Sequence, residues 1–137
     1  MTDNMNICVD GQQICGTQSD RIMLQTTGAL VRKGSAWYIT YSERDEDGAE
    51  TSVTLKVQSN RALMICGDTA RMEFCPGEDT VCDYRTAAGT LTLQVRTHAV
   101  ISLLSASGGS IELIYSLFSE QELLSKNDVQ ILLTPLT

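Results

Sequence analysis

Thr51-Ser52-Val53-Thr54-Leu55-Lys56-Val57-Gln58 changes polarity at almost every step. Successive side chains of a β-strand point to opposite faces, so Val53, Leu55 and Val57 share one face and Ser52, Thr54 and Lys56 the other. A helix would scatter the same residues around its axis instead of gathering them into one stripe. The stretch reads as a strand with one buried face.

The same rhythm continues on both sides of it. Upstream, Met5, Ile7 and Val9 alternate with polar neighbours until Asp10-Gly11 breaks the run. A second strand is expected over residues 22–26, ending at Gly28, with a short continuation through Ala29-Leu30-Val31. Trp37-Tyr38-Ile39-Thr40-Tyr41-Ser42-Glu43 is aromatic and β-branched, which suits a pleated, half-buried surface. The charged Arg44-Asp45-Glu46-Asp47-Gly48 then reads as a turn.

Downstream, residues 61–66 and 70–75 flank Gly67-Asp68, and Pro76-Gly77-Glu78-Asp79 turns the chain again. Residues 81–86 lead through Ala88-Gly89 into 90–97, and 99–104 read as a further strand. After Gly108-Gly109, Ile111, Leu113, Tyr115 and Leu117 form the next apolar face. Residues 119–126 hold the helix-forming side chains, but the segment is too short to stand as a helix and reads as a loop. The last strand is expected over residues 129–134, after Asn127-Asp128.

About ten short strands with hairpin-length links, and no helix to cover them, restrict the architecture. A flat sheet of that size would bare two long edges. The expected fold is all-β: one domain over residues 1–137, a closed or nearly closed antiparallel meander barrel of about 8–10 strands. A length of 137 residues and an apolar share of 42% supply one core.

Composition narrows the function classes. A formal charge of -7 disfavours nucleic acid and anionic membrane surfaces as partners. The polar, acidic start Met1-Thr2-Asp3-Asn4 lacks the order of a secretory signal, which makes the cytoplasm the expected compartment. Five cysteines without a C-x-x-C pair look like free thiols, neither a disulfide framework nor a zinc site. His98, the sole histidine, follows Thr97 and is expected to face outward, so no haem, metal or other cofactor is expected.

Five segments, in order, carry a family resemblance. They are Tyr38-Ile39-Thr40-Tyr41-Ser42-Glu43, Met72-Glu73-Phe74, Tyr84-Arg85-Thr86-Ala87-Ala88-Gly89, Val95-Arg96-Thr97 and Gly109-Ser110-Ile111-Glu112-Leu113-Ile114-Tyr115. Together they resemble the YwiB-like family of small bacterial proteins of unknown function, and the resemblance implies a calycin-like (lipocalin-type) barrel. The chain departs from that pattern at Ile65-Cys66 before Gly67, where the family often carries a basic residue. The resemblance supplies a fold and no activity.

Strand parity then selects candidate lumen residues. Trp37, Tyr41 and Glu43 share a face with Ile39; Tyr84 and Thr86, Thr97 with Val95, and Tyr115 with Leu113 follow the same rule. These groups either orient the polar end of a ligand or satisfy one another in a structural network. The primary reading is a non-catalytic binder of a small, partly apolar ligand. The alternatives are a packed structural or interaction module, with a protein partner or a homodimer, and an enzyme using Glu43 with Tyr41 or Tyr115.

Overall fold

The computed structural model describes residues 2–44 and 48–136. It is all-β. Ten antiparallel strands form one sheet: β1 (Met5–Cys15), β2 (Gln18–Lys33), β3 (Ala36–Arg44), β4 (Glu50–Gln58), β5 (Arg61–Cys66), β6 (Ala70–Phe74), β7 (Asp79–Thr86), β8 (Gly89–Ser105), β9 (Gly108–Ser119) and β10 (Glu122–Pro135). Their order is β6-β5-β4-β3-β2-β1-β10-β9-β8-β7. Every neighbour is a hairpin partner except β1 and β10, whose pairing joins the two ends of the chain. The expected turn at Asp45-Glu46-Asp47 lies outside the described residues.

The sheet's two outer strands, β6 and β7, meet and nearly close the barrel. The Arg85 amide donates to the Thr69 carbonyl at 2.8 Å, and Thr80 Oγ1 donates to the Glu73 carbonyl at 2.6 Å. Gly77 N–H reaches the Thr97 carbonyl of β8 at 3.1 Å. Inward rows follow the parity read from sequence. Val53, Leu55 and Val57, with Ile39, Phe74, Ile111, Leu113, Ile131 and Leu133, are buried. Their removal from water is the main force holding the wall closed.

The long strands depart from the sequence reading. β1 runs through Asp10-Gly11 without a break, and β2 passes through Gly28 as one strand. A Cβ at Gly28 would collide with the Thr40 carbonyl oxygen and the Ile7 side chain, so the residue allows β2 to press against β3 there. Residues 90–97 and 99–104 are both parts of β8, joined across a register shift at His98. The expected loop over 119–126 is a tight turn at Glu120 and Gln121, with φ of 49° and 70°, followed directly by β10. Asn127 and Asp128 lie inside that strand, beyond a second shift at Leu124.

Each bulge exchanges the inward parity of its strand. Before His98, Val95 and Thr97 point inward; after it, Val100 and Leu104 pack on the core. His98 itself is solvent-exposed and its Nε2 lies 2.9 Å from Ser116 Oγ. All five cysteines are free thiols. No helix of the structure is long and apolar enough to cross a membrane.

Candidate functional site

Three of the parity-selected residues come together deep in one end of the barrel. Thr97 on β8 pairs with Tyr115 on β9, Tyr115 pairs with Asn127 on β10, and Asn127 pairs with Gln13 on β1. Tyr41 approaches from β3. Tyr41, Thr97, Tyr115 and Asn127 are all buried. The Tyr115 ring leans on Phe74, with centroids 4.8 Å apart and planes at 60°. That contact fixes where its hydroxyl points.

The cluster is electrically neutral near pH 7. Burial pushes the Tyr115 phenol up to about 12 and the Tyr41 phenol higher still; Glu43 and Cys66 add to the shift on Tyr41. Burial also drives the Cys66 thiol up to about 11, reinforced by Glu43 and Cys82, and raises Cys82. No cation contributes to these shifts. Glu43 stands solvent-exposed at the end of β3, and partial desolvation raises its carboxyl above the usual carboxylate value. Phenols and thiols held protonated in this way offer hydrogen-bond donors and weak acceptors, not nucleophiles.

Their hydrogen bonding is incomplete. Thr97 Oγ1 is buried and has no hydrogen-bond partner among the described residues. The Tyr41 and Tyr115 hydroxyls bond to no described residue either, yet neither is sealed from solvent. Asn127 Nδ2 donates to Ser125 Oγ at 3.0 Å, one bond for an amide able to make several. A self-satisfied network of Tyr and Thr hydroxyls is therefore not what these residues form.

The remaining expectations separate from this cluster. Trp37 lies near the start of β3, six residues and roughly 20 Å along the strand from Glu43. There it lines an open cleft of about 590 Å³ with Asn4, Leu30, Arg32 and Leu104, and the Arg32 guanidinium sits 5.8 Å from its ring centroid. Tyr84 has the parity of the buried Cys82, but it is 40% exposed. Thr86 is exposed and closes the β7–β8 turn: Oγ1 donates to the Gly89 carbonyl at 2.7 Å and accepts from the Ala88 amide at 3.2 Å. Inward parity holds only as far as there is an opposing wall, and the β7–β8 hairpin outruns it.

Sequence reasoning missed Asn127, Ser125, Cys66 and Cys82. Asn127 shares parity with Val129, Ile131 and Leu133, so its signal was present but hidden by an Asn-Asp pair that resembles a turn. Cys66 and Cys82 read as small hydrophobes, which is how they pack.

Comparison with the curated proteins finds no match. Among solved structures, the ywiB protein from Bacillus subtilis superposes with a TM-score of 0.87 at 20% sequence identity, over 98% of this chain and 93% of that one. Identity that low carries the fold alone, and the shared feature is the barrel. The family described as a domain of unknown function (DUF1934) matches residues 7–131, a span that takes in most of β1, most of β10 and everything between them, and the chain belongs to that family.

Proposed function

We propose that the protein is a non-catalytic binder of a small, partly apolar molecule, whose polar end seats against Thr97, Tyr115 and Tyr41 beneath Glu43. The observation that carries this reading is Thr97 Oγ1, a buried hydroxyl with no partner among the described residues. Leaving such a group unsatisfied costs about 1–3 kcal/mol. A barrel serving only as a scaffold has a cheaper solution in Val at this position. Leu113, Val129 and Leu117 supply apolar walls around the polar groups. The donors are neutral, so they suit an oxygen acceptor such as an alcohol or a carboxyl group. Acid–base chemistry by Glu43 with Tyr41 or Tyr115 is the weaker reading, because burial places both phenols far from neutral titration. Five unpaired thiols suit a cytoplasmic setting.

Calorimetric titration with octan-1-ol and with octanoate tests the site. At least one should bind saturably, and Thr97→Val and Tyr115→Phe should each weaken it about tenfold while the far-ultraviolet spectrum stays unchanged. No saturable binding of either amphiphile, or binding indifferent to both substitutions, would remove the reading.

A further inference from the structure

We propose that the protein forms a two-fold symmetric dimer in which the upper part of β2 pairs antiparallel with the same segment of a second copy. β2 is 16 residues long, but only Gly28 to Lys33 pair with β3; from Gln18 to Thr27 it has β1 on one side and no strand among the described residues on the other. Over these ten residues every second one directs its backbone N–H and C=O away from β1 and along the free edge, a template for another strand. Its sequence, Gln18-Ser19-Asp20-Arg21-Ile22-Met23-Leu24-Gln25-Thr26-Thr27, carries its charges only at Asp20 and Arg21, toward one end. There is no proline, no lysine and no bulge.

The occupant follows from the symmetry of the segment. Antiparallel pairing of two identical edges about an axis normal to the sheet keeps inner faces with inner faces. Opposed residues must therefore share parity. Centred on Met23, this register sets Ile22 against Leu24, Arg21 against Gln25 and Asp20 against Thr26. It runs from Ser19 to Thr27, almost the full length of the free edge. The apolar residues meet in the middle, and no like charges oppose each other. One acid and one base make the segment neutral within a chain of net charge -7, so this is a place where two copies can approach without repulsion. Ile22 is 69% exposed and Met23 55%, although Ile22 has inward parity; its wall is missing on the β3 side.

β8 offers a competing edge. Its residues after Arg96 have no pairing with β7, and Leu103 there is 78% exposed. That run is shorter and begins at the His98 bulge, which turns an edge away from pairing.

Sedimentation equilibrium from micromolar to submillimolar protein should show a monomer–dimer equilibrium. Met23→Lys and Ile22→Lys should each raise the dissociation constant about tenfold or more, and Leu103→Lys should leave it unchanged. Hydrogen exchange on the unmodified protein supplies a check that needs no variant. Amides in residues 18–27 should gain protection as concentration rises. A monomer throughout the range, a dimer that survives Met23→Lys, or a dimer lost in Leu103→Lys would each overturn the proposal, as would exchange at 18–27 that ignores concentration.

Discussion

The barrel is built from two unlike halves. Strands β3 to β7 span five to nine residues, whereas β8, β9, β10, β1 and β2 span 11 to 17. The short strands have no register shift, and their inward rows are mostly aliphatic or aromatic: Ile39, Val53, Leu55, Val57, Ala62 and Phe74. The long strands carry both bulges, the Gly28 contact and the buried polar side chains Thr97, Ser116, Ser125 and Asn127. A long strand in a closed wall must coil, and coiling needs bulges or glycine. Packing dominates one half. The other half bends, runs past its β3 neighbour at β2 and holds the buried polar side chains.

If that contrast is right, truncation should cost most among the short strands. Leu55 is fully buried in the middle of β4, and Leu55→Ala should lower the unfolding free energy by about 4 kcal/mol, read from chemical denaturation. A loss under about 1 kcal/mol would mean that this half is loosely packed. In the long half the costly change is an addition. Gly28→Ala drives a methyl into the Thr40 carbonyl and should cost about 3 kcal/mol. Gly11 on the neighbouring strand is its control: a Cβ there meets nothing nearer than the Ile22 carbonyl at 3.9 Å, so Gly11→Ala should shift stability by no more than about 0.5 kcal/mol. Equal costs at the two glycines would show that contact with β3 is not what distinguishes Gly28.

The same contrast explains what could be read in advance. Arg61–Cys66 is bounded in the sequence as it is in the structure, and the limits of β3, β4 and β6 shift by a residue or so. In a short strand, parity needs to hold for only a few residues. The long strands were cut at Gly11, Gly28, His98 and Asn127-Asp128, because residues that bend a strand are also the residues that end one. A bulge reveals itself through its partner strand, and one strand's sequence does not contain that partner. Tyr41, Thr97 and Tyr115 were legible because each lies before the next irregularity on its strand. Tyr84 and Thr86 also have inward parity, but parity says nothing about how high the opposing wall stands; Trp37 does pack against the core, at the other end of β3 from Glu43.

A smaller effect concerns the buried polar side chains of the long half. Thr97→Val removes the unpartnered hydroxyl and keeps the shape of the side chain. The ligand-free protein should gain about 1 kcal/mol in unfolding free energy. Stability unchanged or reduced would mean that the hydroxyl is satisfied in solution, and the case for a ligand at Thr97 would fall with it.

The smallest effect is at the rim, where Glu43 joins the short half to the polar cluster. Its carboxyl is raised above 4.5 by desolvation, so the native state holds this proton more tightly than the unfolded chain does. The sign follows: the group favours folding below pH 4.5, and that contribution is lost as pH rises through the native value. Asp10 and Asp79 act in the opposite sense. Their carboxyls are lowered by hydrogen bonds from Arg21 and Arg96, and the stability they give is lost on acidification. Total stability against pH would therefore mix the two trends. The difference between the unmodified protein and Glu43→Gln isolates the rim. It should slope downward with pH from 4.5 and level off once Glu43 is ionised in both states. A side-chain carboxyl NMR titration of Glu43 should place its midpoint above 4.5. If the midpoint lies at or below that value, water reaches the rim freely, and Glu43 belongs to the exposed end of β3 instead of to the cluster around Tyr41 and Cys66.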